Sequence, residues 1–241
     1  MNVKRLSAVF LFILTFMVNS AIANEEDAFR VIEEKVFSTN QASVLLSMEE
    51  SQDSSSAEAF RQGLVEYRLG NMTTNAGRIQ KSIGWLEKSV GLGTNVFNLS
   101  YLGIAHTGVV LLSGNPIEKS DHLGKAFEVL NRSVELFPDH YLPRFYRSLL
   151  NLMVPGVFGG KEEKGIEDMN FVLSRIDTID RNPPFKAFMV FMYANWLGEK
   201  GKDYGRAVAL LDRAASWATD KKFLENIEKK RKEFIGKGGS H

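Results

Sequence analysis

Arg144, Arg147, Ser148 and Asn151 follow one another at positions i, i+3, i+4 and i+7. On a helix that spacing gathers all four on one face, opposite Phe145, Leu149 and Leu152. A guanidinium fork matches a carboxylate in bidentate geometry. The set is therefore a candidate contact for an acidic group on a protein or peptide partner. A solvated face, or pairing with Glu162, Glu163 or Asp168 across a hairpin, is the other reading of the same residues. A second candidate is the run Val154-Pro155-Gly156-Val157-Phe158-Gly159-Gly160, where two glycines precede a helix and could form an anion-binding nest. Its alternative is Phe158 folded back over the core. A third is the aromatic stretch Phe185, Phe188, Phe191, Tyr193 and Trp196. Phe158, Phe188, Phe191 and Trp196 are candidate walls of an apolar ligand pocket, with plain helix packing as the alternative.

Other chemistries find no residues to carry them. The chain has no cysteine, which removes disulfides, thiolate metal sites and a cysteine nucleophile. It contains no GxSxG, HExxH, phosphate-binding Walker loop or dinucleotide fingerprint. The histidines, at 106, 122, 140 and 241, lack metal-ligand spacing. His106 sits in a mostly apolar helix and reads as an interior or groove histidine. A non-enzymatic protein without metal or cofactor is expected.

The elements that would position these residues are helical. A small-x3-apolar-x2-small pattern occurs as Ser82/Leu86/Ser89, Ala126/Leu130/Ser133, Gly165/Met169/Val172 and Ala207/Leu211/Ala214, at intervals of about forty residues. A fixed period of this size marks stacked helical hairpins. The first pair is expected at Ala57–Leu69 and Gly77–Val90, and Ser55 with Glu58 has the form of a capping box. The second starts near Val96, stops at Ser113-Gly114-Asn115-Pro116 and returns over Asp121–Phe137. The third opens at His140 or Tyr141 and returns over Lys161–Ile176. The fourth has Asn182 as N-cap and Pro183 at the first helical position, then Phe185–Leu197 and Tyr204–Trp217. A charged helix over Asp220–Ile235 would cap the array. The expectation is an all-α, right-handed solenoid of about four helix-turn-helix repeats over residues 57–235. A helical segment and serine-rich linker over 24–56 precede it, and a disordered tail over 236–241 follows.

The N-terminus reads as an address. Lys4 and Arg5 precede the apolar run Leu6–Val18, and Ala21-Ile22-Ala23 is a small-x-small cleavage site. That is the grammar of a secretory signal peptide over residues 1–23, removed after Ala23, with no stable membrane insertion. Secretion without cysteines fits a bacterial periplasm. The net charge of +1 argues against a nucleic-acid partner. Its one basic run, Lys229-Lys230-Arg231-Lys232, is interleaved with Glu225, Glu228 and Glu233 and reads as a solvated helix face.

With the hairpins placed, the chain resembles the tetratricopeptide repeat family. The fourth repeat carries the likeness best, in Gly201-Lys202-Asp203-Tyr204-Gly205-Arg206-Ala207 followed by Leu211 and Ala214. Gly103, Ala126 and Pro138 add to it in the second. The period is longer than the family's, and Ser82 and Gly165 stand where alanine is usual. The resemblance implies a module that binds a protein or peptide through its concave face, lined by first helices. The loop Pro155–Gly160 is also similar to one in the periplasmic tetratricopeptide component associated with some tripartite solute transporters. That likeness implies a small apolar or anionic ligand.

Overall fold

The computed structural model describes residues 27–37, 42–48 and 55–238. The signal-peptide pattern, its cleavage site, most of the serine-rich linker and the last residues of the tail lie outside them. Among the described residues the chain is all-helical, with helices packed in neighbouring pairs and no strand. They fall into two compact units that meet between Pro138 and Asp139.

The first unit holds α1 (27–37), α2 (Ala42–Leu46), α3 (Ser56–Thr73), α4 (Ala76–Leu92), α5 (Val96–Leu112) and α6 (Pro116–Leu136). α3 pairs with α4, α4 with α5, and α5 with α6. Local chemistry sets the ends. Ser55 accepts from the Glu58 amide at the start of α3, and Thr74 ends that helix in the left-handed region at φ 52. Asn95 and Asn98 form a reciprocal capping box on α5. Asn115 caps α6, with Pro116 behind it. The second helix of this hairpin therefore begins at Pro116 and not at Asp121. The Ser113–Pro116 stop signal serves as the start signal too.

The second unit holds α7 (Tyr141–Met153), a 3-10 turn (Gly156–Phe158), α8 (Glu162–Arg175), α9 (Pro183–Trp196), a π turn (Leu197–Gly201), α10 (Tyr204–Trp217) and α11 (Lys221–Gly238). α7 pairs with α8, α9 with α10, and α10 with α11, while α7 also touches α9. Asn182 accepts from the Phe185 amide at 2.9 Å, as its N-cap position predicts. The tail expected from Gly236 is helical as far as Gly238, because α11 runs on past Ile235.

The repeated pattern is the inner seam of each hairpin. All twelve of its residues lie on α4, α6, α8 and α10, and all are buried. The facing helix makes room with small residues. A Cβ on Gly63 would come within 2.7 Å of Leu86, and one on Gly103 within 2.6 Å of Leu130. The third hairpin inverts the arrangement, since Gly165 on α8 receives Leu152 from α7. Serines in the seam find partners: Ser82 donates to the Gly63 carbonyl at 2.7 Å and Ser89 to that of Ser56 at 2.8 Å.

Candidate functional site

The arginine set of α7 is turned inward. Asp168 of α8 is fully buried, and Arg147 grips it with two bonds, Nε to Oδ2 at 2.7 Å and Nη2 to Oδ1 at 2.8 Å. Arg144 adds a third, Nη1 to Oδ1, at 3.1 Å. Asn151 donates to the Arg147 carbonyl and accepts from the Lys161 amide, each at 3.0 Å, so it ties both ends of the α7–α8 connection together. Ser148 is fully buried. Arg147 and Asn151 therefore hold the hairpin and Ser148 is buried in it, so the reading of the three as an exposed partner-binding face is corrected. The reason is a neighbour across the hairpin. A buried carboxylate in bidentate reach outcompetes any external anion for the same fork. Arg144 keeps some exposure and lies over the Phe171 ring at 4.1 Å, and Arg175 lies over the same ring at 3.8 Å.

In the loop after α7 the Gly159 and Gly160 amides bond the Gly156 and Pro155 carbonyls, and Phe158 does not fold back over the core. Gly159 adopts φ 98, and a Cβ on Gly160 would fall 1.8 Å from the Val154 carbonyl oxygen, so only glycine fits there. This tight turn sends Val157 and Phe158 outward, 88% and 65% exposed. Phe158 does not cover the core.

The aromatics of α9 are divided among different partners. Phe188 meets Phe145 at 6.0 Å and Phe185 at 6.4 Å, while Phe191 meets Phe223 of α11 edge-on at 5.2 Å. Trp196 stacks on Tyr193 at 5.8 Å and donates from Nε1 to the Leu152 carbonyl at 3.2 Å. Phe191 and Trp196 are thus engaged in packing. What α9 leaves at the surface is a stripe. Phe188 is 38% exposed, and Phe185, Met192 and Asn195 are half-buried at helical spacing on its side. On α7, Leu149 is half-buried and Met153 exposed.

A polar cluster in the first unit was not legible from spacing. His106 of α5 faces His122 of α6, with the two Nδ1 atoms 2.8 Å apart. Gln80 of α4 lies 3.2 Å from His122 Nε2 and donates to Glu118 Oε1 at 2.9 Å. Ser113 donates to the second Glu118 oxygen. The only sequence hint was Glu118 and His122 at i, i+4, since the other members come from different helices. Burial first, then the His122 ring and Lys125, lower His106 from 6.5 to about 4. The Ser113 hydroxyl and the Gln80 amide hold the Glu118 carboxyl below the usual carboxylate range.

Among the described residues, no three histidine or acidic side chains gather to hold a metal ion, and no helix is long and apolar enough to cross a membrane. The basic run of α11 is tied to acids around it. Lys230 bonds Glu199, Arg231 donates to Asp212 at 2.6 Å, and Lys232 sits 3.6 Å from Glu228. No protein-family model, curated protein or solved structure matches this chain.

Proposed function

We propose that the protein is a non-enzymatic binding module, a right-handed solenoid of about four tetratricopeptide-like hairpins, that captures a protein or peptide partner. The first 23 residues support a site of action outside the cytoplasm, in a bacterial periplasm. The contact surface is the apolar stripe of α9 with its neighbours on α7, and not the arginine set. The observation that carries this reading is Phe188. It is a large aromatic residue, 38% exposed, beside the half-buried Phe185, while Phe191, Tyr193 and Trp196 of the same helix are engaged in packing. A partner segment with two or three apolar side chains at alternating or helical spacing would cover it.

A peptide library displayed on phage and selected against the immobilised protein tests the reading. Peptides rich in apolar residues are expected to enrich. Phe188→Asp is expected to weaken the best of them at least tenfold while the helical circular dichroism stays unchanged. A hot-spot aromatic is worth about 2 kcal/mol or more, which is over tenfold in affinity. Enrichment of nothing, or binding indifferent to Phe188→Asp, counts against the proposal. A lipid-like adduct retained in the native mass spectrum, and lost in Phe188→Asp, would instead favour a small apolar ligand on the same stripe.

A further inference from the structure

The cluster around His106 belongs to none of this, and the direction of each of its bonds follows from chemistry. An ionised Glu118 only accepts, so Gln80 must turn its amide nitrogen toward it. The second hydrogen of that nitrogen faces His122 Nε2, which must then be the acceptor. His122 therefore carries its proton on Nδ1. That N–H points at His106 Nδ1, 2.8 Å away, so His106 accepts there and carries its own proton on Nε2. Ser113 closes the chain on the far side of Glu118.

We propose that the His106–His122 pair is an acid-operated latch fastening α5 and the first half of α6 to α4, closed while both rings are neutral and opened by one added proton. The chain has no room for that proton. Placed on His106 Nδ1, it meets the Nδ1–H of His122. Placed on His122 Nε2, it meets the Gln80 amide hydrogens, and turning the amide over sets its oxygen against the Glu118 carboxylate. Either way a buried bond is lost and a donor is left facing a donor.

The charged groups around the pair are few. α6 presents Glu118, Asp121, His122 and Lys125, with Asp121 and Lys125 paired at 2.8 Å. Lys125 opposes protonation of His106 and Asp121 favours it, so the two offset. α4 contributes the neutral Gln80, and its Glu87 acts on Lys125. Tyr67 of α3 lies against Gly108 of α5, and burial keeps it neutral. With His106 lowered to about 4 from 6.5, an opened hairpin takes a proton in that interval and the closed one refuses it. The latch is at full strength above about pH 6.5 and weakens as the pH falls toward 4.

Amide hydrogen exchange of the full chain between pH 7 and pH 4.5, corrected for intrinsic rates, reads the latch. Exchange over residues 104–124 is expected to rise at least tenfold, with α9 and α10 unchanged. His106→Gln keeps an acceptor for the His122 N–H but removes one of the two rings that can take the proton, so its exchange should respond less to pH than the wild type's. Long-range nitrogen–proton correlation of the wild-type histidines at pH 7.5 needs no variant. It should find His122 protonated on Nδ1 and His106 on Nε2. The proposal is overturned by the opposite tautomers, by wild-type exchange that ignores pH, or by a His106→Gln protein that responds as the wild type does.

Discussion

Asp168→Ala is expected to cost the second unit about 3–5 kcal/mol, the range for breaking a buried ion pair by deleting one partner. Asp168 is fully buried and answers two arginines. Arg144 can turn toward solvent and toward the Phe171 ring when the carboxylate goes. Arg147 cannot. It is buried, its fork is committed to Asp168, and its own carbonyl is bonded by Asn151. Its charge would lose its buried carboxylate in the α7–α8 seam. Urea denaturation followed by circular dichroism measures the loss. Asp168→Leu combined with Arg147→Met should recover most of it, because the pair as a whole is worth little against well-packed apolar groups. A loss below about 1 kcal/mol, the scale of an exposed ion pair, would mean that Arg147 reaches water after all.

Gly198→Ala is expected to release the C-terminal helix. An added Cβ would lie 2.3 Å from two atoms of the Phe234 ring, and Phe234 is fully buried. Overpacking of this kind costs about 1–3 kcal/mol where the neighbour cannot yield. The ring has little freedom, being packed near Tyr204 with Lys230 and Lys237 over it. α11 buries only Ile227 and Phe234, so losing one anchor leaves it weakly held. Trypsin cleavage within Lys229–Lys232 should become much faster in the variant, with cleavage of the first unit unchanged. Phe234→Leu in the Gly198→Ala background returns space to the site and should restore part of the protection. Equal digestion rates for wild type and variant would show that the turn at Leu197–Gly201 absorbs the methyl group.

Much of the helical framework could be read from residue types, and the reasons are local. Asn182 and Ser55 cap helices wherever the chain goes next. The small-x3-apolar-x2-small pattern predicted four second helices, and its members are buried in α4, α6, α8 and α10. The start of α6 was misplaced because Ser113–Pro116 ends one helix and begins another, and a breaker read alone does not say which side continues.

The candidate site was less legible. The spacing of Arg144, Arg147, Ser148 and Asn151 placed them correctly on one face of α7. Spacing within a helix says nothing about which neighbour that face meets. Pairing with Asp168 across the hairpin, an alternative that the sequence left open, is the arrangement the chain adopts, and it buries the charge. The aromatic residues of α9 divide for the same reason: Phe185 and Phe188 meet Phe145 of α7, Phe191 meets Phe223 of α11, and Trp196 stacks on Tyr193.

From the sequence alone came the all-helical framework, the hairpin pairing, the seam residues and the helix caps at Ser55 and Asn182. All of these rest on interactions within a few residues or on a period that repeats along the chain. Only the tertiary structure decided that the arginines face inward, that Val157 and Phe158 face outward, that Phe188 is left at the surface, and that His106, His122, Gln80, Glu118 and Ser113 share one chain of bonds. Those outcomes depend on side chains brought together from different helices. Burial and hydrogen-bond direction are properties of that meeting and not of any one segment.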